Sequence, residues 1–232
     1  MTARYAVYFA PHESTALWQA GCRWLGRDPC TGSRLAQPEV EGWSAERISE
    51  ITASPRLYGF HATLKPPFVL AKGRTAAQLA DAVQELAAGL HPFVLPQLAV
   101  TSLDGFLALQ PNANSTAQLR TLADACVVEL DGFRRAPAAE ELVQRRAAGL
   151  SPRQDQLLVQ FGYPFVLDQF RFHMTLTERL TNTDAIRLSP WLREYFTTAL
   201  ASPLLCDAIC LFMQERPREA FVLLRRFALD IR

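Results

Sequence analysis

Phe60-His61-Ala62-Thr63-Leu64 and Phe172-His173-Met174-Thr175-Leu176 are two copies of one pattern, Phe-His-x-Thr-Leu, one in each half of a 232-residue chain. The chain has four histidines, and two of them stand in this frame. Both stretches read as strands, where alternate side chains share a face. The first copy then puts Gly59, His61, Thr63 and Lys65 on one face and Tyr58, Phe60, Ala62 and Leu64 on the other. The second puts Arg171, His173, Thr175 and Thr177 opposite Phe172, Met174 and Leu176. Each strand has an apolar face for a core and a polar face presenting His, then Thr, with one cation.

Outward from these strands, the chain alternates. Residues 4–10 suit a strand. Residues 13–26 suit a helix starting near His12 or Ser14, and the Pro- and Gly-rich 27–43 a loop. A short helix follows from Ser44 to about Ala53, ended by Pro55, and Pro66-Pro67 should stop the first motif strand (58–65), since proline has no N–H to donate. Residues 75–90 form an amphipathic helix capped by Thr75, with strands at 93–100 and 104–109 and a helix at 115–130 capped by Ser115 or Thr116. Two short helices fill 137–161, broken at Gly149-Leu150-Ser151-Pro152. The second motif strand (169–177), a helix (183–200) and two strands (204–213, 219–229) close the chain. The order is α+β with a duplicated character. It predicts a single domain over 1–232 with a helical insertion at about 130–161.

A net charge of +1 gives no bulk field for nucleic acid or membrane, and no run of ~18 apolar residues predicts a membrane span. The start lacks the features of a signal peptide. Five cysteines, an odd count without CxxC, read as reduced thiols in a cytoplasmic protein, with Cys206 and Cys210 as small core residues. His12 and His91 read as helix-end residues. Arg134-Arg135 and Arg145-Arg146 read as a charged helical surface, with a phosphate-contacting lid as the sharper alternative. The default assembly is a monomer.

Brought together, the two polar faces match phosphoryl chemistry. Two imidazoles, His61 and His173, can divide the work of general base and general acid. The Thr63 and Thr175 hydroxyls can donate to phosphate oxygens. Lys65 and Arg171 could offset the charge of the transition state. Tyr8 and Tyr58 are candidates to line the groove, as are Phe212 and Gln214. The set needs no cofactor, and two His with two Thr make a poor divalent metal site.

Two His-x-Thr motifs on strands, one per half, resemble the 2H phosphoesterase superfamily. The stretches from Tyr58 to Phe68 and from Phe170 to Thr177, the opening Arg4-Tyr5-Ala6-Val7-Tyr8-Phe9-Ala10-Pro11 and the segment Gly149 to Gln154 are similar to a bacterial branch of it. That branch was long called a domain of unknown function and is associated with phosphonate-utilisation operons. The resemblance covers essentially the whole chain. It implies a bilobed α+β fold: two small antiparallel sheets related by pseudo-two-fold symmetry, helices outside and the site in the groove between them. It also implies metal-independent cleavage of a cyclic phosphodiester, with His61 and His173 as the acid–base pair and Thr63 and Thr175 as phosphate binders. Lys65 and Arg171 rest on the strand-face reading alone. The expected substrate is a small phosphorylated molecule, such as a phosphorylated ribose cyclic phosphate. The alternatives are an RNA end bearing a 2′,3′-cyclic phosphate and a sensor that binds without turnover.

Overall fold

Apolar strand stretches that cannot bury both faces alone must pair into a sheet and be covered by helices. The computed structural model describes residues 2–112, 117–147 and 149–230. The strands are β1 (Arg4–Phe9), β2 (Ala62–Val69), β3 (Phe93–Val94), β4 (Leu98–Leu103), β5 (Phe106–Pro111), β6 (Met174–Arg179), β7 (Leu205–Cys206), β8 (Ala208–Gln214) and β9 (Val222–Ala228). The helices are α1 (Ala16–Leu25), α2 (Ala45–Ile51), α3 (Ala53–Tyr58), α4 (Ala76–Ala88), α5 (Ala117–Glu129), α6 (Ala139–Arg146), α7 (Pro152–Phe161) and α8 (Asn182–Thr197). Seven strands form one antiparallel sheet in the order β4-β5-β6-β2-β1-β8-β9, and β3 pairs with β7 in a separate ribbon.

The expected α+β architecture is present, and the two expected small sheets are the halves of this one sheet. Among the described residues they pair only where β2 touches β6, through Ala62↔Met174. The duplication shows in connectivity. β2–α4–β3 leads to the hairpin β4–β5, and β6–α8–β7 leads to the hairpin β8–β9. Each hairpin joins the half containing the other motif strand, and each helix follows it across: α4 packs on β8 and β9, α8 on β4 and β5.

The phenylalanines that open the motifs anchor both strands in the core. Phe60 and Phe172 are buried. Gly21 on α1 faces the Phe60 ring so closely that a Cβ there would stand 2.3 Å from it. Trp24 Nε1 donates to the Leu176 carbonyl at 2.8 Å, tying α1 to β6. Thr15, beside the expected residues, caps α1; Ser44 and Thr75 cap α2 and α4 through their hydroxyls. The proposed caps Ser115 and Thr116 lie outside the described residues.

Three local expectations are corrected. Pro55 does not end the helical region but sits in the first turn of α3, where its missing N–H is no loss. Tyr58 is the last residue of that helix rather than a strand residue. Gly59, at φ +83°, then turns the chain into the motif. Pro66-Pro67 do not stop β2, which runs on to Val69. The register against β1 slips twice, with Tyr8 opposite Thr63, Val7 opposite Lys65 and Tyr5 opposite Phe68. Both prolines therefore lie in a bulge, where a ladder N–H is not required.

Candidate active site

Each motif histidine enters its strand by the same local device. His61 Nδ1 lies 2.8 Å from the Gly59 carbonyl, and His173 Nδ1 lies 2.8 Å from the Arg171 carbonyl. A carbonyl only accepts, so each Nδ1 carries the proton. Each Nε2 is left with a lone pair directed away from the backbone.

Strands β2 and β6 run antiparallel and meet at their first residues. Continuing the Ala62↔Met174 register one step each way sets His61 across from Thr175 and Thr63 across from His173. The cavities agree. A space of about 260 Å³ is lined by His61 and Thr175, and its neighbour of about 230 Å³ by Thr63 and His173. Phe106 and Arg179 border both. The four motif side chains thus converge in one groove as two crossed His–Thr pairs. His61 Nε2 also lies 3.1 Å from Thr63 Oγ1 of its own motif.

The surroundings of the two imidazoles differ. Tyr8 stacks on His61 with ring centroids 3.7 Å apart. Burial pushes the His61 pKa down to about 4; the Gly59 hydrogen bond opposes that shift and the nearby His173 adds to it. Burial also pushes His173 down, with its hydrogen bond to Arg171 opposing, Arg171 lowering it further and Asp104 pulling it back up. Phe106 is tilted against the His173 ring at 5.7 Å.

Lys65, expected in the groove, is not there. The bulge after Thr63 turns it onto the face of Val7, opposite the face of Tyr8 and Thr63. It is 1% exposed and donates to the Val127 carbonyl at the end of α5 at 2.9 Å, with Asp131 at 3.4 Å. Burial pushes its pKa down to about 8, with Asp131 opposing. Arg171 does reach the groove beside His173, ion-paired to Asp104. Asp104 and Gly105, both at positive φ, form the two-residue turn of the β4–β5 hairpin, which carries that carboxylate to the rim. Tyr58 lines the His61 cavity and stacks on Phe221. Phe212 is buried beneath the Tyr8–His61 stack, and Gln214 is buried and accepts from Arg4.

Sequence reasoning missed Arg179. It is exposed, borders both cavities and lies on the His173–Thr175 face of β6. Two more steps of the same alternation reach it. The residues after α7 also form a wall: Tyr163 and Phe165 line the His173 cavity. Of the paired arginines, Arg134, Arg135 and Arg146 are bound to Asp131, Glu141 and Asp155. His12 contacts Ser14 and His91 the Asp230 carbonyl, both away from the groove. Among the described residues no group of three or more His, Cys, Asp or Glu converges, and no helix is long and apolar enough to cross a membrane.

The family model described as "Protein of unknown function (DUF1045)" matches residues 63–222. A protein of Janthinobacterium sp. (strain Marseille) called "Ribose 1,5-bisphosphate phosphokinase PhnN" is 39% identical over 224 residues, covering 94% of this chain and 49% of that protein. A protein of the same name from Laribacter hongkongensis (strain HLHK9) is 37% identical over 225 residues, covering 96% and 51%. The chain thus spans about half the length of these curated relatives. Among solved structures, E. coli LigT in apo form aligns over 99% of both chains at 14% identity and a TM-score of 0.43. LigT complexed with 3'-AMP aligns over the same share at 13% and 0.42.

Proposed function

The chain belongs to the DUF1045 family, and we propose that it is a phosphoesterase that opens a small cyclic phosphodiester by two-histidine acid–base catalysis. The observation that carries this reading is the crossed pair: two imidazoles with Nδ1 fixed by backbone carbonyls, each lining a cavity together with the threonine of the other motif. Water attacks phosphorus as one Nε2 takes its proton. The P–O ester bond on the far side breaks, and the other Nε2–H protonates the departing oxygen, leaving a phosphate monoester and a free hydroxyl. The two imidazoles account for both proton transfers, so no metal enters the scheme. Thr63 and Thr175 donate to the non-bridging oxygens, and Arg179 stabilises the charge that builds on them. We assign the base to His61, roofed by Tyr8 and held neutral. The acid role then falls to His173, beside the Arg171–Asp104 ion pair.

A phosphorylated ribose cyclic phosphate is the preferred substrate. The motifs resemble the phosphonate-associated branch, and the relatives carry the name of an enzyme of ribose 1,5-bisphosphate. An RNA end with a 2′,3′-cyclic phosphate is the second reading, favoured by the aromatic wall of Phe106, Tyr163 and Phe165, on which a base could stack. The test is phosphorus NMR of the purified protein in EDTA against phosphoribose 1,2-cyclic phosphate, 2′,3′-cyclic nucleotides and an RNA with a cyclic end. Turnover of the sugar phosphate above the others is expected. Binding of all three without product would replace this reading with the sensor.

A further inference from the structure

The unbroken register of β1 with β8 puts Arg4, Ala6 and Tyr8 on one face, the face on which Tyr8 stacks on His61. Tyr8 is wholly buried, and its hydroxyl has no hydrogen-bond partner among the described residues. Four strand residues away, about 13 Å between Cα atoms, Arg4 lies over the Phe221 ring at 5.4 Å and donates to the neutral Gln214 amide at 2.7 Å.

Arg4 opens into a cavity of about 320 Å³ that is also lined by Arg134, Arg135 and Arg145, with Glu141 as its carboxylate. Asp131 occupies Arg134, and Glu141 occupies Arg135. Arg4 and Arg145 form no ion pair among the described residues, and Arg145 acts on Glu141 only at longer range. Arg145 lies instead over the Tyr163 ring at 5.4 Å, and Tyr163 lines the His173 cavity. The basic cavity and the catalytic groove are therefore neighbours. Tyr163 stands between them, and the adjacent Pro66 and Pro67 line one each.

We propose that Arg4 and Arg145 form a second anion subsite beside the groove that holds a phosphate monoester carried by the cyclic substrate. This rests on the phosphodiesterase reading and narrows its substrate to a cyclic phosphodiester with a separate terminal phosphate. Two guanidinium groups outside any ion pair match the charge of about −2 on a monoester better than the single charge of a strand phosphodiester.

Binding is measured by calorimetry with ribose 5-phosphate, ribose and a dinucleotide with a cyclic end. The proteins are wild type, Arg4→Gln, Arg145→Gln and, as a control, Arg120→Gln, whose side chain pairs with Asp124 on α5. Ribose 5-phosphate should bind roughly tenfold or more weakly to the Arg4 and Arg145 variants, with Arg120→Gln like wild type. Arg145 lies on the exposed α6, so it gives the answer if Arg4→Gln fails to fold. Wild-type affinity in both variants would overturn the subsite. Arginine-dependent binding of the dinucleotide above ribose 5-phosphate would overturn the monoester in favour of a strand. The wild type should also prefer phosphoribose 1,2-cyclic phosphate over the same compound lacking the 5-phosphate, and Arg145→Gln should erase that preference. If neither compound is turned over while arginine-dependent binding persists, the phosphodiesterase reading fails and the subsite stands.

Discussion

His61 and His173 are oriented by one device, an Nδ1–H donated to the carbonyl two residues back, yet His61 lies under a tyrosine ring while His173 adjoins an arginine–aspartate pair. The repeated pentapeptide sets orientation; the elements packed around each copy set the proton affinity. Two copies of one motif can thereby be biased toward opposite roles in a single reaction.

The largest effect expected from breaking the pair is loss of turnover in His61→Ala and in His173→Ala. Each should fall by on the order of 10²–10⁴-fold. The double variant should be little worse than either single one, because the two act as a unit. Steady-state rates on the preferred cyclic phosphate check this. A single variant that keeps wild-type turnover would remove its histidine from the mechanism.

Much of this comparison was legible in the sequence. Alternation along a strand placed His and Thr together in both copies, and Phe60 and Phe172 behind them in the core. Lys65 was misplaced because a bulge reverses the alternation, and nothing local except Pro66-Pro67 hints at one. Those prolines were read as a strand end, although an extra residue in the ladder removes their penalty just as well. The crossing of His61 with Thr175 could not be read at all, since it depends on one residue pair between strands far apart in the chain. Arg179 needed only two further steps along β6, and Asp104-Gly105 was an available hairpin signal.

The two cations should separate in the next test. Arg179→Gln should raise KM or lower kcat on the cyclic phosphate by roughly tenfold, the scale of one lost charge-assisted hydrogen bond, with the denaturation midpoint unchanged. Lys65→Met should leave turnover near wild type and lower stability by ~1–3 kcal/mol by stranding the Val127 carbonyl. The reverse pattern would return Lys65 to the groove.

A smaller effect follows from the His61 environment. Its folded pKa of about 4 lies below the ordinary 6.5, so between those values the unfolded chain binds a proton that the fold refuses. This contribution is therefore absent above pH 6.5 and costs stability progressively as pH falls through 6.5 toward 4. Denaturant midpoints at pH 7 and pH 4.5 should show a steeper acid loss in wild type than in His61→Asn. Equal slopes would show that His61 titrates as an open histidine.

The most direct test of the acid–base pair is the pH profile of kcat/KM on a cyclic phosphate with no monoester group, so that no substrate group titrates near neutrality. One imidazole must be neutral and the other protonated, and burial holds both pKa values below 6.5. The profile should be a bell whose optimum lies below pH 6.5, falling as pH rises further, with both limbs belonging to the coupled pair. A rate that stays flat or climbs from pH 6.5 to 9 would contradict the two-histidine mechanism.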